Sequence, residues 1–342
     1  MKRNTTGGNS QIKERTEKST DRQKNTTDSN RCSREGTGDR NKKKIFSQTV
    51  RESRQQRQRI GVGSVAGLFG LSRQSYYKRE ELEKTEKEES ERVIELVREI
   101  RKRMPRIGTR KLYHILRGEF EAKGIKAGRD KLFEILRKNQ LLITKRRRYK
   151  QTTNSKHWLK KHPNLIKGVE IDRPERLWVS DITYIRTDDG FCYLTMITDA
   201  YSRKIVGYNT SKSLGTEGTI EALKMAIKNR DSDGELIHHS DRGMQYCSRE
   251  YVELLEKNQI RISMTEGSDP YENALAERMN RTIKEEFLIT EKIRDYELLQ
   301  KTVAECVDIY NTERPHLSCR MQYPADVHKQ IINPSRATPS WG

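Results

Sequence analysis

The chain has 342 residues, enough for two or three domains, and a mean hydropathy of −0.99 with 35% charged residues leaves no run of about 18 apolar residues, which excludes a membrane-spanning reading. The opening MKRNTTGGNSQIKER is basic with no apolar stretch behind it and does not read as a secretory signal, so the expected setting is cytoplasmic, on the nucleoid when bound to DNA. The net charge of +20 belongs to the front of the chain: residues 101–150 hold 18 Lys and Arg against 4 Asp and Glu, whereas 151–342 hold 27 against 29, so a polyanion, nucleic acid, is the expected partner of the first 150 residues.

Residues 1–45 contain almost no large apolar side chains and read as a disordered basic tail. Residues 46–150 read as a helical DNA-binding region. Within it, IGVGSVAGLFGLSRQSYYKR (60–79) forms two short segments broken at Gly70-Leu71-Ser72. Ser72 is placed to cap the second, a helix-turn-helix pattern that would present Arg73 to DNA. Val93, Ile94, Leu96, Val97 and Ile100 then recur at helical spacing in a Glu-rich stretch. A second helix-turn-helix is expected over 106–143, from Leu112, Ile115 and Leu116 in one amphipathic helix and Leu132, Phe133, Ile135 and Leu136 in the next, with Gly124 and Gly128 at the join. Arg110, Lys111, Arg129 and Lys131 around these helices, and Arg146, Arg147 and Arg148 in the basic run that follows, are expected to contact phosphates. Residues 151–172 read as a linker.

From 173 to 330 the pattern changes. VSDITYI, FCYLTMITDA and KIVGYNTS read as a three-stranded antiparallel meander. Helix GTIEALKMAIKN, strand LIHHSD, helix SREYVELLEKNQ, strand IRISMT, a helix from about 272 to 288 and a last one over about 297–310 follow. The expected fold is α/β, a mixed sheet of the meander plus parallel strands with flanking helices. Residues 331–342 read as a tail.

Three acidic residues stand out. Asp181 interrupts an apolar strand, where a carboxylate is costly unless a cation uses it. Asp241 ends a buried strand, where α/β sheets place their ligands. Glu277 lies on the helix after the fifth strand. Converging, they would supply hard oxygen ligands suited to Mg²⁺ or Mn²⁺. Lys284, seven residues after Glu277, returns to within roughly 20° of the same helix face and could hold a phosphate. Asp199 and Arg203 read as hairpin-turn residues, Trp158 and Trp178 as core anchors, and His238 and His239 as strand-end histidines. His157 and His162 find no paired cysteines among Cys32, Cys192, Cys247, Cys306 and Cys319, so zinc is not expected there. The residues alone leave open a metal nuclease that cuts without joining and a DNA-binding regulator without catalysis. Tyr310, Asn311, Arg314 and His316 also invite a tyrosine-recombinase reading.

The segments WVSDITYI, HHSDRGMQYCS, SMTEGSDPYENALAERMNRTIKEEF and YNTERPH resemble the DDE transposases of the IS3 family of bacterial insertion sequences, over about residues 90–328. That family's core has the retroviral-integrase, ribonuclease H-like fold. The 35 residues between Asp241 and Glu277 match its interval, and Lys284 falls where it places a basic residue seven positions after its glutamate. A departure is Glu272-Asn273 where many relatives have Asp-Asn. The resemblance implies that Asp181, Asp241 and Glu277 are the catalytic, metal-binding triad, holding two Mg²⁺ or Mn²⁺ ions, with Asn273 and Lys284 on the DNA side. It further implies cleavage and strand transfer at inverted-repeat ends, with the ends and target DNA as partners and a homo-oligomer in the synaptic complex.

Overall fold

A computed structural model describes residues 45–52, 61–144, 159–266, 273–287 and 293–330. The basic tail through residue 44, Arg146 to Arg148, His157, Trp158 and the tail from 331 lie outside the described residues. No helix among the described residues is long and apolar enough to cross a membrane.

The chain divides into two compact units, Met1–Glu91 and Arg92–Gly342. In the first, residues 45–52 are helical and α1 spans Val62–Phe69. Gly70, at φ +64°, ends α1, a conformation that favours glycine. Ser72 Oγ then accepts from Ser75 N at 3.2 Å and opens α2, Arg73–Arg103. Phe46, Val50, Val65, Ala66 and Tyr76 form the core of this unit. The second helix of the expected motif does not stop near residue 79. With no Gly or Pro before Pro105, and with (i,i+4) pairs such as Arg79–Glu83 and Lys87–Glu91, it continues for 31 residues.

In the second unit, α3 (Thr109–Ala122) and α4 (Arg129–Lys138) precede β1 (Leu177–Thr187), β2 (Gly190–Asp199), β3 (Ile205–Ser211), α5 (Thr216–Lys228), β4 (Leu236–Ser240), α6 (Arg249–Lys257), β5 (Ile260–Met264), α7 (Ala274–Glu286), α8 (Tyr296–Thr312) and α9 (Pro324–Gln330). The sheet order is β3-β2-β1-β4-β5. β1, β2 and β3 pair antiparallel, while β4 lies parallel to both β1 and β5, the mixed sheet with flanking helices expected from the sequence.

Alternation along β1 sorts its side chains between two faces. Trp178 and Ile182 join the apolar cluster under α5 and α6, with Leu223, Tyr251 and Leu255. Val179 packs in a cluster with Ala276, and Ile185 in one with Met279 and Ile283. Asp181, on this second face of β1, is thereby directed to α7. The cluster containing Ile185 also takes in Leu112, Leu116, Leu132 and Leu136. The apolar faces of α3 and α4 thus join the same cluster as part of the sheet, within the unit Arg92–Gly342.

β3 and α5 approach closely at Gly207, where a Cβ would overlap the carbonyl oxygen of Ala222 and stand 2.9 Å from Ala226 Cβ. Gly207→Ala is expected to destabilise the unit by about 1–3 kcal/mol through overpacking, read as a lower denaturation midpoint in urea with an unchanged slope.

Candidate active site

β1 presents Asp181 with both carboxylate oxygens engaged: Oδ1 accepts from Ile182 N at 2.9 Å, and Oδ2 accepts from Asn280 Nδ2 at 2.8 Å. Burial, and then the negative charge of Asp241, push its pKa up to about 7 against those two donors, with Glu277 adding to the rise. Asp241 immediately follows β4. Its Oδ1 accepts from Gly243 N at 3.0 Å, a tight turn in which a Cβ on Gly243 would stand 3.0 Å from that same oxygen. The cap of the following helix α6 is Ser248, which accepts from Tyr251 N. Glu277 sits exposed in the first turn of α7, its pKa raised by partial burial and by Asp241. The three carboxylates therefore lie in one another's field.

Their ligand atoms do not all close to 4.8 Å of one another; among the described residues the acidic and histidine group that does is Glu175, Asp231 and His328. The donors around the triad are hard oxygens. Buried Asn273 Oδ1 and Asn280 Oδ1 have no hydrogen-bond partner beside it, so the set suits a hard divalent cation.

Asn273 precedes α7 as its N-cap residue but does not cap it through its side chain. Its buried Nδ2 instead donates to Ser180 O at 3.1 Å, fixing the start of α7 beside Asp181. Lys284 Nζ donates to Tyr184 O at 2.7 Å and Thr183 Oγ1 at 3.1 Å and stands 4.6 Å from the centre of the Tyr184 ring. It is half-buried against β1, in the attractive field of Asp181.

The other expected DNA contacts divide. Arg110 and Arg129 are exposed and Lys131 half-buried on α3 and α4, with Arg129 Nε 2.9 Å from Asp130 Oδ1. Arg73, in the other unit, is exposed beside the Tyr77 ring. Lys111 departs from the expectation. It is buried, with Nζ 3.1 Å from Glu286 Oε1, and Glu286 is also gripped by Arg314 through bonds of 2.7 and 2.8 Å. Burial, and then Arg314, lower the Lys111 pKa to about 8 despite the attraction of Glu286. Its amine is committed to that network rather than presented on the exposed face.

The same network accounts for Arg314, and buried Tyr310 donates its hydroxyl to Arg203 O at 3.1 Å, so neither group is presented as recombinase machinery. His238 is a core residue held neutral, its pKa pushed by burial to about 3, with Nε2 3.0 Å from Tyr251 OH. Asp199 does serve the β2–β3 turn, accepting from Ser202 N at 2.7 Å, and Trp178 is fully buried.

Two residues beside Asp181 escaped the sequence reading. Asn280 lies three positions after Glu277 on the same helical face, a spacing that could have drawn attention to it. Tyr246, whose hydroxyl is 2.9 Å from Ser180 Oγ, carries no such sequence signal.

An integrase core domain family model matches residues 171–270, and a second integrase core model matches 258–324. The chain is 34% identical over 254 residues to a 31 kDa protein of insertion element IS600 from Shigella sonnei, a match spanning 73% of this chain and 92% of that protein. It is 31% identical over 206 residues to the transposase InsF of insertion sequence IS3A from Escherichia coli K12, spanning 60% of this chain and 72% of that one. Among solved structures, the HTLV-2 integrase catalytic core domain in complex with magnesium aligns with 46% of this chain and 98% of its own at 19% identity, TM-score 0.38.

Glu286→Ala would leave Lys111 and Arg314 as uncompensated buried cations. The expected cost is about 3–5 kcal/mol, measured by urea denaturation, whereas Glu285→Ala at the adjacent position, half-buried and 3.1 Å from Arg281 Nε, is expected to cost under about 1 kcal/mol.

Proposed function

The chain belongs to the IS3 family of bacterial insertion-sequence transposases, and from that premise we propose that Asp181, Asp241 and Glu277 hold two divalent cations, Mg²⁺ or Mn²⁺, and catalyse DNA cleavage and strand transfer at the inverted-repeat ends of its element. The observation that carries this reading is the convergence of three carboxylates from β1, the end of β4 and α7 into a single repulsive field at Asp181. When bound, such ions activate a water or a DNA 3′-hydroxyl and stabilise the leaving oxygen in an in-line displacement at phosphorus.

The protein's own contribution is placement. Asn280 and the Ile182 N–H hold the Asp181 carboxylate in one orientation, and Asn273 fixes the start of the helix that carries Glu277. Lys284 places a positive charge beside Asp181, within the field into which a phosphate would be drawn. Residues 46–150 are assigned to DNA binding, with Arg73, Arg110, Arg129 and Lys131 and the run Arg146 to Arg148 on phosphates; Lys111 is withdrawn from that set. Joining two ends to a target calls for a homo-oligomeric synaptic complex.

The test is a reaction on oligonucleotides carrying the element's ends, with Mg²⁺ or with EDTA. Asp181→Asn, Asp241→Asn and Glu277→Gln are each expected to abolish joining while leaving end binding intact. Normal joining by any of them removes that residue from the triad, cut but unjoined products from the unaltered protein identify a nuclease, and a covalent protein–DNA adduct formed in EDTA overturns the mechanism. Neutralising Arg110 and Arg129 is expected to flatten the dependence of binding on salt by about 0.9 in slope for each phosphate no longer neutralised, with little change in the metal requirement.

A further inference from the structure

Where β1 and β4 begin, at the end of the sheet opposite Asp241, a second polar cluster has no part in the chemistry above. Glu175 is fully buried and adopts φ +57°, a left-handed conformation unusual for a glutamate. Its N–H donates to Asp199 Oδ2 at 2.7 Å. Its carboxylate accepts from Asp231 N at 2.9 Å on Oε1 and from Ser232 N at 2.7 Å on Oε2. His328, on α9, is also fully buried, with Nδ1 2.9 Å from Ser202 Oγ.

The proton on that imidazole can be placed by elimination. Ser202 has one hydroxyl hydrogen and gives it to Asp199 Oδ1 at 2.7 Å, so toward His328 the hydroxyl is an acceptor and Nδ1 carries the hydrogen. In the neutral ring Nε2 then presents a lone pair. It has no hydrogen-bond partner and faces Glu175 Oε1 at 3.5 Å. Two electron-rich atoms face each other out of contact with water, and something positive belongs between them.

A second ring proton is the competing occupant, since Asp199 and then Glu175 raise the His328 pKa against the effect of burial, but at 3.5 Å the pair exceeds the roughly 2.7–3.2 Å of an N–H···O bond. A tetrahedral ion with bonds of about 2.0–2.1 Å to nitrogen and oxygen sets neighbouring ligands about 3.3–3.5 Å apart. Asp231 brings a third oxygen, one ligand atom from each of the three residues lying within 4.8 Å of the others. Asp231 is exposed, which gives an ion a way in and leaves a position for water. The Lys204 ammonium shares the field of Asp231, Glu175 and Asp199 but leaves His328 Nε2 without a partner.

We propose that Glu175, Asp231 and His328 bind a zinc ion that clips α9 to the start of β1 and to the loop after α5. The imidazole donor selects zinc over magnesium. The Asp199–Ser202–His328 chain supplies the outer hydrogen bonds that hold a ligating histidine in one tautomer.

The experiment uses the full chain carrying Asp181→Asn, Asp241→Asn and Glu277→Gln, so that its outcome is independent of the catalytic reading. Zinc chloride is titrated calorimetrically, and cobalt(II) is followed by its visible absorption. The expected result is saturable, equimolar zinc uptake with a tetrahedral cobalt spectrum, and a thermal midpoint raised by zinc and unmoved by magnesium. His328→Gln should abolish uptake, Asp231→Asn should weaken it at least about tenfold, and Ser202→Ala should weaken it about 10–100-fold. If His328→Gln does not fold, the surface change Asp231→Asn decides. Absence of saturable uptake, or uptake unaltered by Asp231→Asn, overturns the proposal.

Discussion

Three carboxylates that repel one another have to be held together, and the attachment of α7 to β1 does this. The helix is tied along its length. Asn273 donates to Ser180 O, Asn280 to the Asp181 carboxylate, and Lys284 to Thr183 Oγ1 and Tyr184 O. The eleven helical steps from 273 to 284 rise about 16 Å, and the four strand steps from 180 to 184 about 13 Å. Helix and strand therefore run side by side, and the polar ties keep register between them. Met279 and Ile283 fill the apolar positions between the ties. Glu277, the exposed one of the three carboxylates, is placed by the rest.

The C-terminal end of α7 is anchored by a different device. Glu286 accepts from Arg314 and Lys111, and its carbonyl accepts from Arg106 N at 2.9 Å. Those bonds tie the segment just after α8, the residues just before α3 and the first turn of α3 to the same helix. A buried ionic cluster adds little net stability compared with apolar packing, but it fixes geometry, since removing any one partner strands the charge of another. On the proposed reading, this gives the basic helices α3 and α4 a fixed relation to the carboxylates. Phosphates bound on one would then be positioned for chemistry on the other.

Much of this was legible in the sequence because it rests on local pattern. The meander follows from β-branched and aromatic runs separated by turn residues, and the parallel strands from short apolar runs alternating with amphipathic helices. Asp181 stood out because a carboxylate within an apolar strand needs a reason. What could not be read was decided by partners remote in sequence. Lys111 looks like any other basic residue beside an amphipathic helix until Glu286, 175 positions away, is placed against it. Likewise, the apolar faces of α3 and α4 do not announce that they will join one cluster with residues as remote as Ile283 and Leu299. Glu175 and His328 drew no attention singly, since only the fold brings a residue before β1 next to one on α9.

A crystal structure of the protein grown with Mn²⁺ and recorded with anomalous diffraction tests the proposal that Asp181, Asp241 and Glu277 form one metal centre. Two anomalous peaks about 3.5–4 Å apart among these side chains are expected. An absence of manganese among these three side chains, with Asn280 still bonded to Asp181, would contradict it.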